Sequence, residues 1–143
     1  MNEGVGKVYD LQSLFDRLNR LYFDRRLELS IRWSKRSIVK AQTRVLLGYY
    51  SGQKKQITIS KRLDNPRVPM FFVEHILFHE MLHAIFPSER HRMHTDKFKS
   101  FEKLHPDYER ARIWEKESIK VLFEKPQKTL SFAHRLWEKV QSL

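Results

Sequence analysis

Residues 70–86 read MFFVEHILFHEMLHAIF, a run that is apolar apart from Glu74, His75, His79, Glu80 and His83. Pro66 and Pro69 disfavour helix just before them and Pro87 ends it, so the pattern predicts one helix over about 70–86. A helix that is apolar around most of its circumference belongs inside a core, and the rest of the chain must be built around it. The polar exceptions fall together. At roughly 100° per residue, His79 lies about 40°, His83 about 80° and Glu80 about 140° round from His75. One narrow stripe thus carries three imidazoles and a carboxylate into an apolar frame, where each unpaired polar group costs a few kcal/mol of desolvation.

The flanking sequence supplies the remaining elements. Within 9–23, Leu11, Leu14, Phe15, Leu18, Leu21 and Tyr22 recur at spacings of three and four, which predicts an amphipathic helix. Three short β-favouring segments follow at 29–33, 45–50 and 56–60, the last two joined by the glycine-containing turn 51–55. They are expected to form a small antiparallel three-stranded sheet packed on the central helix. Further helices are expected over 95–104, 108–123 and 129–143, broken at Pro106 and Pro126. No repeat, low-complexity tract or flexible linker interrupts the chain, so residues 1–143 read as one α+β domain.

His79-Glu80-Met81-Leu82-His83 is an HExxH sequence. Two histidines four apart on a helix share a face and can hold one zinc ion at about 2.1 Å. Zinc lowers the pKa of a water it holds toward about 7, and the neighbouring Glu can take that proton and pass it to a leaving amine. His75 extends the stripe, but Ile76 follows it, so a His75–His79 pair would have no adjacent base; His75 reads as a buried histidine beside the site. A catalytic zinc takes a third protein ligand and keeps its fourth position open. The downstream candidates are His91, His94, Glu102, His105 and Asp107; His94 is favoured, with His91 and Glu102 as its main competitors.

Composition narrows the chemistry. The 143 residues contain no cysteine, which excludes disulfides, a cysteine nucleophile and every cysteine-ligated metal. No apolar run reaches the about 18 residues a membrane span needs, and the N-terminus lacks a signal-peptide pattern, so a soluble, cytoplasmic protein is expected. The net charge is +11, and residues 25–67 alone hold twelve basic side chains against Glu28 and Asp64, a net +10. Such a segment attracts polyanions such as DNA, or simply keeps the protein soluble. Tyr49 and Tyr50 beside Lys54 and Lys55 are its best aromatic-plus-basic surface.

LNRLYFDRRLELSIRW (18–33), LGYYSGQKKQITIS (47–60), VEHILFHEMLHAIF (73–86) and HTDKFKSFEKLHPDY (94–108) together resemble the SprT-like zinc metalloprotease family. The resemblance implies a zincin-like minimal metalloprotease core, with zinc on His79, His83 and His94 and Glu80 as the catalytic base. His94 to Phe98 fits the family's later H-x-x-x-F/W motif, with Thr95 where the family often has glycine, and the chain lacks the cysteine zinc ribbon of many members. The implied substrates are proteins or peptides, including proteins associated with nucleic acid, with DNA reached through residues 25–67. By analogy, strand 56–60 is expected either to be the edge on which an extended peptide pairs or to be an ordinary sheet strand. Tyr49, Tyr50, Arg90, His91 and Tyr108 are candidates for stabilising the oxyanion.

Three functions compete at this point. The leading one is a zinc endopeptidase. The others are a zinc-dependent ribonuclease and a nucleic-acid-binding module with a structural or vestigial zinc. Oligomeric state is not legible in the sequence.

Overall fold

Asp10 opens helix α1 (Leu11–Tyr22) by accepting hydrogen bonds from the Gln12 and Ser13 backbone N–H groups at 3.0 and 3.3 Å. The predicted stripe is buried at Leu11, Leu14, Phe15 and Leu18, whereas Leu21 is 58% exposed. Asn19 then turns the chain, its amide holding the Leu27 carbonyl and N–H at 2.9 and 3.1 Å around the left-handed residues Asp24 and Arg25. The computed structural model describes residues 3–36, 39–40, 44–45, 47–87 and 93–123. The helix expected at 129–143 and the candidates Arg90 and His91 lie outside the described residues.

Five strands follow: β1 (Ser30–Trp33), β2 (Val39–Lys40), β3 (Arg44–Val45), β4 (Gly48–Ser51) and β5 (Gln56–Ile59). β2 and β3 form a separate antiparallel ribbon, so the segment expected as one strand over 45–50 is divided between β3 and β4. The main sheet has three strands in the order β1-β5-β4. It is mixed, which corrects the all-antiparallel expectation: β5 pairs antiparallel with β4 but parallel with β1, with Ile31 opposite Ile57 and Trp33 opposite Ile59. The order also corrects the edge assignment, because the strand over 56–60 is central and the edges are β1 and β4.

The reason lies on the face that looked polar. Ile57, Thr58 and Ile59 are 0–1% exposed, so β5 is covered on both sides. Thr58 accepts a hydrogen bond from Arg32 Nε at 3.0 Å, and Tyr49 occupies the next place in the same row. A strand covered on both faces is stable in the middle of a sheet, whereas β4, with exposed Tyr49, suits an edge.

The central helix is α2 (Met70–Ile85), within one residue of the predicted bounds. Phe72, Val73, Leu77, Phe78, Met81 and Leu82 on it are 0–2% exposed and form one core with α1, β1 and β5. β4 approaches α2 closely at Gly48, where a Cβ would lie 3.4 Å from Ile76 Cγ2 and 3.2 Å from the Thr58 carbonyl oxygen. Helices α3 (Asp96–Glu102) and α4 (Tyr108–Ser118) close the other side, with Phe98 and Ala111 fully buried and Trp114 against Phe72 at 4.5 Å between ring centroids. The 108–123 helix ends as a 3-10 segment, Ile119–Phe123.

Buried Glu74 is a tie between elements. It pairs with Arg17 of α1 and faces His105 Nε2 at 3.9 Å. Among the described residues, no helix is long and apolar enough to cross a membrane.

Candidate active site

Helical spacing puts His79 and His83 one turn apart on α2. The chain returns at His94, just before α3, where Thr95 caps the helix by accepting from the Phe98 N–H at 3.2 Å. That gives Thr95 a local reason to stand where the family often has glycine. The cap fixes the direction in which α3 leaves and so where His94 sits. One nitrogen from each of His79, His83 and His94 lies within 4.8 Å of the other two. Phe98, four residues after His94 and fully buried, floors the group, with its ring centroid 4.9, 4.7 and 4.9 Å from those of His79, His83 and His94.

The donor set fits a metal ion. The buried Nε2 of His94 has no hydrogen-bond partner among the described residues. Burial, reinforced by the charges of the neighbouring rings, pushes the His83 imidazole down to about 4 and lowers that of His94. A ligating histidine must be neutral, and this pocket favours that state. His79 differs, because Glu102 of α3 is hydrogen-bonded to its Nδ1. Burial lowers the His79 pKa, but the Glu102 bond and charge outweigh it and hold the value above the ordinary one. Burial raises the Glu102 carboxyl, but its bond to His79 outweighs that and holds it below the ordinary range.

Glu102, a competing third ligand on sequence grounds, is therefore the orienting partner of His79, leaving Nε2 of that ring to face a metal. The structure brings His94 together with the two α2 histidines; His91 lies outside the described residues. Loss of a carboxylate partner of a metal-binding histidine typically weakens metal affinity about 10- to 100-fold. Glu102→Ala is expected to weaken zinc binding by that factor in a competition titration with a chromogenic chelator. Unchanged affinity would show that the bond does not orient the ring.

Glu80 is 7% exposed and lines a cleft of about 460 Å³ together with His79 and Glu102. Burial pushes its carboxyl up to about 7, with His79 opposing and Glu102 adding to the rise. Gly48 of β4 lines this cleft, as do Tyr108 and Arg112 of α4. His75 also lines it, with a buried Nδ1 that has no hydrogen-bond partner among the described residues, and it is not one of the gathered histidines.

His105 and Asp107, also candidates from sequence, stand elsewhere. They present ligand atoms to Glu74 rather than to the three histidines. Cationic side chains already occupy that cluster, because Arg17 pairs with Glu74, and Arg110 with Asp107 at 2.8 Å. The Asp107 N–H donates to His105 Nδ1 at 3.1 Å.

His75 and His105 give the metal-free protein a pH dependence. Burial pushes His75 down to about 4, with Glu102 opposing and His79, His105 and Arg112 reinforcing. Burial also lowers His105, with Asp107 opposing and Arg17 reinforcing. Both rings bind fewer protons in the native state than in the unfolded chain. The contribution of His75 is complete above the ordinary value of about 6.5 and is lost as pH falls toward about 4, by at most about 1.4 kcal/mol for each pH step of one across that window, and the contribution of His105 is lost in the same direction. Acidifying chelator-treated protein from pH 7.5 to 5 is expected to lower the urea midpoint through His75, His83, His94 and His105, against the opposing gain from Glu80 and His79, whose values are raised; a midpoint that rises on acidification would mean that Glu80 and His79 outweigh the four lowered rings.

Sequence reasoning missed the Glu102 bond to His79 and the Phe98 floor beneath all three rings, and of the α4 wall it named Tyr108 but not Arg112. One signal was present, since Phe98 and Glu102 are four apart and share the face of α3 on which His94 opens. No curated protein and no solved structure matches the chain. The family model described as the SprT-like family matches residues 11–111, from the start of α1 into the first turn of α4, and so takes in the sheet, the three histidines and Glu80. The chain belongs to the SprT-like family.

Proposed function

We propose that this protein is a zinc-dependent endopeptidase in which His79, His83 and His94 hold Zn²⁺ and Glu80 is the general base. The observation that carries the reading is the convergence of three imidazole nitrogens within 4.8 Å beside a buried carboxylate at a cleft. Membership of the SprT-like family supports a metalloprotease-type function. When bound, zinc supplies a Lewis acid that polarises a peptide carbonyl and acidifies water. Glu80 takes the proton of the attacking water and delivers it to the leaving nitrogen. Glu102 keeps the His79 ring turned toward the metal. Among the described residues β4 is the sheet edge beside the cleft, so an extended peptide pairs there by its backbone, which lets the site accept varied sequences.

The reading extends to partners. Arg32 reaches across the outer sheet face to Thr58, with a longer contact to the Tyr49 hydroxyl at 3.4 Å, and the basic β4–β5 turn lies next to that face. This basic surface supports proteins bound to nucleic acid, DNA included, as the substrates.

A binding module with a structural zinc would need a fourth protein ligand to close the shell. Among the described residues the gathered set has three members, and Glu102 is engaged by His79. The test is incubation of zinc-loaded protein with a flexible basic protein, with and without single-stranded DNA, read by mass spectrometry. Expected are chelator-sensitive internal cleavages that DNA accelerates and salt suppresses. Zinc binding without cleavage under either condition would favour the binding module.

A further inference from the structure

The cleft has a second polar wall that the three histidines and Glu80 leave unused. α4 begins at Tyr108, which is 7% exposed and lines the cleft together with Arg112, one turn further on. Residues four apart on a helix face the same way, and Arg112 Nη1 donates to the Tyr108 hydroxyl oxygen at 2.9 Å. That oxygen is therefore an acceptor for the guanidinium of exposed Arg112, and its own proton is left to be donated elsewhere. A hydroxyl that accepts from a guanidinium is also the stronger donor. The ring is held from the side of α2 by buried His75, at 5.9 Å between centroids.

The other tyrosines near the sheet do not compete. Tyr49 lies in the outer row with Arg32 and Thr58, and Tyr50 packs against the core. Neither lines the cleft.

We propose that Tyr108 is a catalytic residue whose O–H, aligned by Arg112, stabilises the oxyanion that develops when water adds to the scissile carbonyl; this rests on the peptidase reading above. In the addition step the water oxygen bonds to the carbonyl carbon, the C=O π pair moves onto the carbonyl oxygen, and a water proton passes to Glu80. Tyr108 donates a hydrogen bond to that oxygen and keeps its proton. In the breakdown step the oxygen lone pair re-forms C=O, the C–N bond breaks, and Glu80 returns the proton to the departing nitrogen. One water enters, and one carboxylic acid and one amine leave. Because the oxygen carries more charge in the transition state than in the substrate, the donor acts on kcat rather than on KM. Arg112 touches no reacting atom and is a positioning residue.

The test measures kcat and KM of zinc-loaded Tyr108→Phe on a peptide that the wild type cleaves, with bound zinc and Tm recorded, and with Glu80→Gln in parallel. The same proteins are titrated with a phosphinic analogue of that peptide, which carries the charge and shape of the oxyanion. Tyr108→Phe is expected to lower kcat about 10²- to 10³-fold, the usual effect of removing one oxyanion donor, with KM, zinc content and Tm unmoved. Phosphinate affinity should fall by the factor lost in kcat/KM. Arg112→Ala should lower kcat by less, and Arg112→Lys should restore part of it. Wild-type kcat and phosphinate affinity in Tyr108→Phe, with Glu80→Gln inactive, would overturn the role of Tyr108 and leave the peptidase reading standing. A kcat loss fully explained by lost zinc or lost fold would also overturn it. No cleavage of any peptide by the wild type would overturn both.

Discussion

Glu80→Gln is expected to lower kcat on a cleaved peptide by about 10²- to 10⁴-fold, the range that a positioned general base contributes, while zinc content and Tm stay near wild type. Three observations lead to this result. Glu80 is 7% exposed, so glutamine of nearly equal volume fills the same space without opening a cavity. It is not one of the gathered histidines, so the metal donors are untouched. Burial already disfavours its ionised form, so removing the charge spares the native state a desolvation cost. What glutamine cannot do is accept a proton from water. The measurement is kcat with zinc stoichiometry on the same preparation. A variant that loses zinc and fold together would make Glu80 a structural residue, and one that keeps full activity would remove it from the mechanism.

Phe98→Ala should cost about 3–5 kcal/mol of stability, the usual range for truncating a buried phenylalanine, and should also abolish tight zinc binding. Phe98 is 0% exposed and within 4.9 Å, centroid to centroid, of all three imidazoles. Truncation removes the surface that fixes the His79, His83 and His94 rings relative to one another, so each ring regains freedom that zinc must then overcome. Against a typical total of about 5–15 kcal/mol, such a loss is a large fraction. Phe98→Leu, which keeps most of the volume, should retain more of both properties. Urea unfolding and zinc titration check the two effects separately. If stability falls while zinc affinity stays at wild type, the rings are fixed by their own helices and Glu102 rather than by Phe98.

The legible parts of this protein share one property: each follows from residues near one another in the chain. The α2 bounds came from apolar content between prolines, and the His79–Glu80–His83 arrangement came from helical periodicity. His94 was favoured among the downstream candidates and also fits the family motif, and the structure brings it to the other two. The sheet was half legible. Its strands were found from β-favouring residues, but nothing local shows that Thr58, a polar residue between Ile57 and Ile59, is covered. Arg32, 26 residues away, bonds to it, and pairing with β1 on one edge and β4 on the other makes β5 central.

The sequence by itself determined that a buried helix carries two metal-competent histidines with a carboxylate between them, because side-chain direction on a helix is a local geometric consequence of 3.6 residues per turn. It also excluded cysteine chemistry outright. The tertiary structure alone decided that β1 runs parallel to β5, that β4 is the edge beside the cleft, that Glu102 turns toward His79 across 23 residues of chain, and that Tyr108, bonded to Arg112, lines the same cleft. These contacts join distant segments. Their energies depend on which elements pack together, and no local spacing encodes that choice.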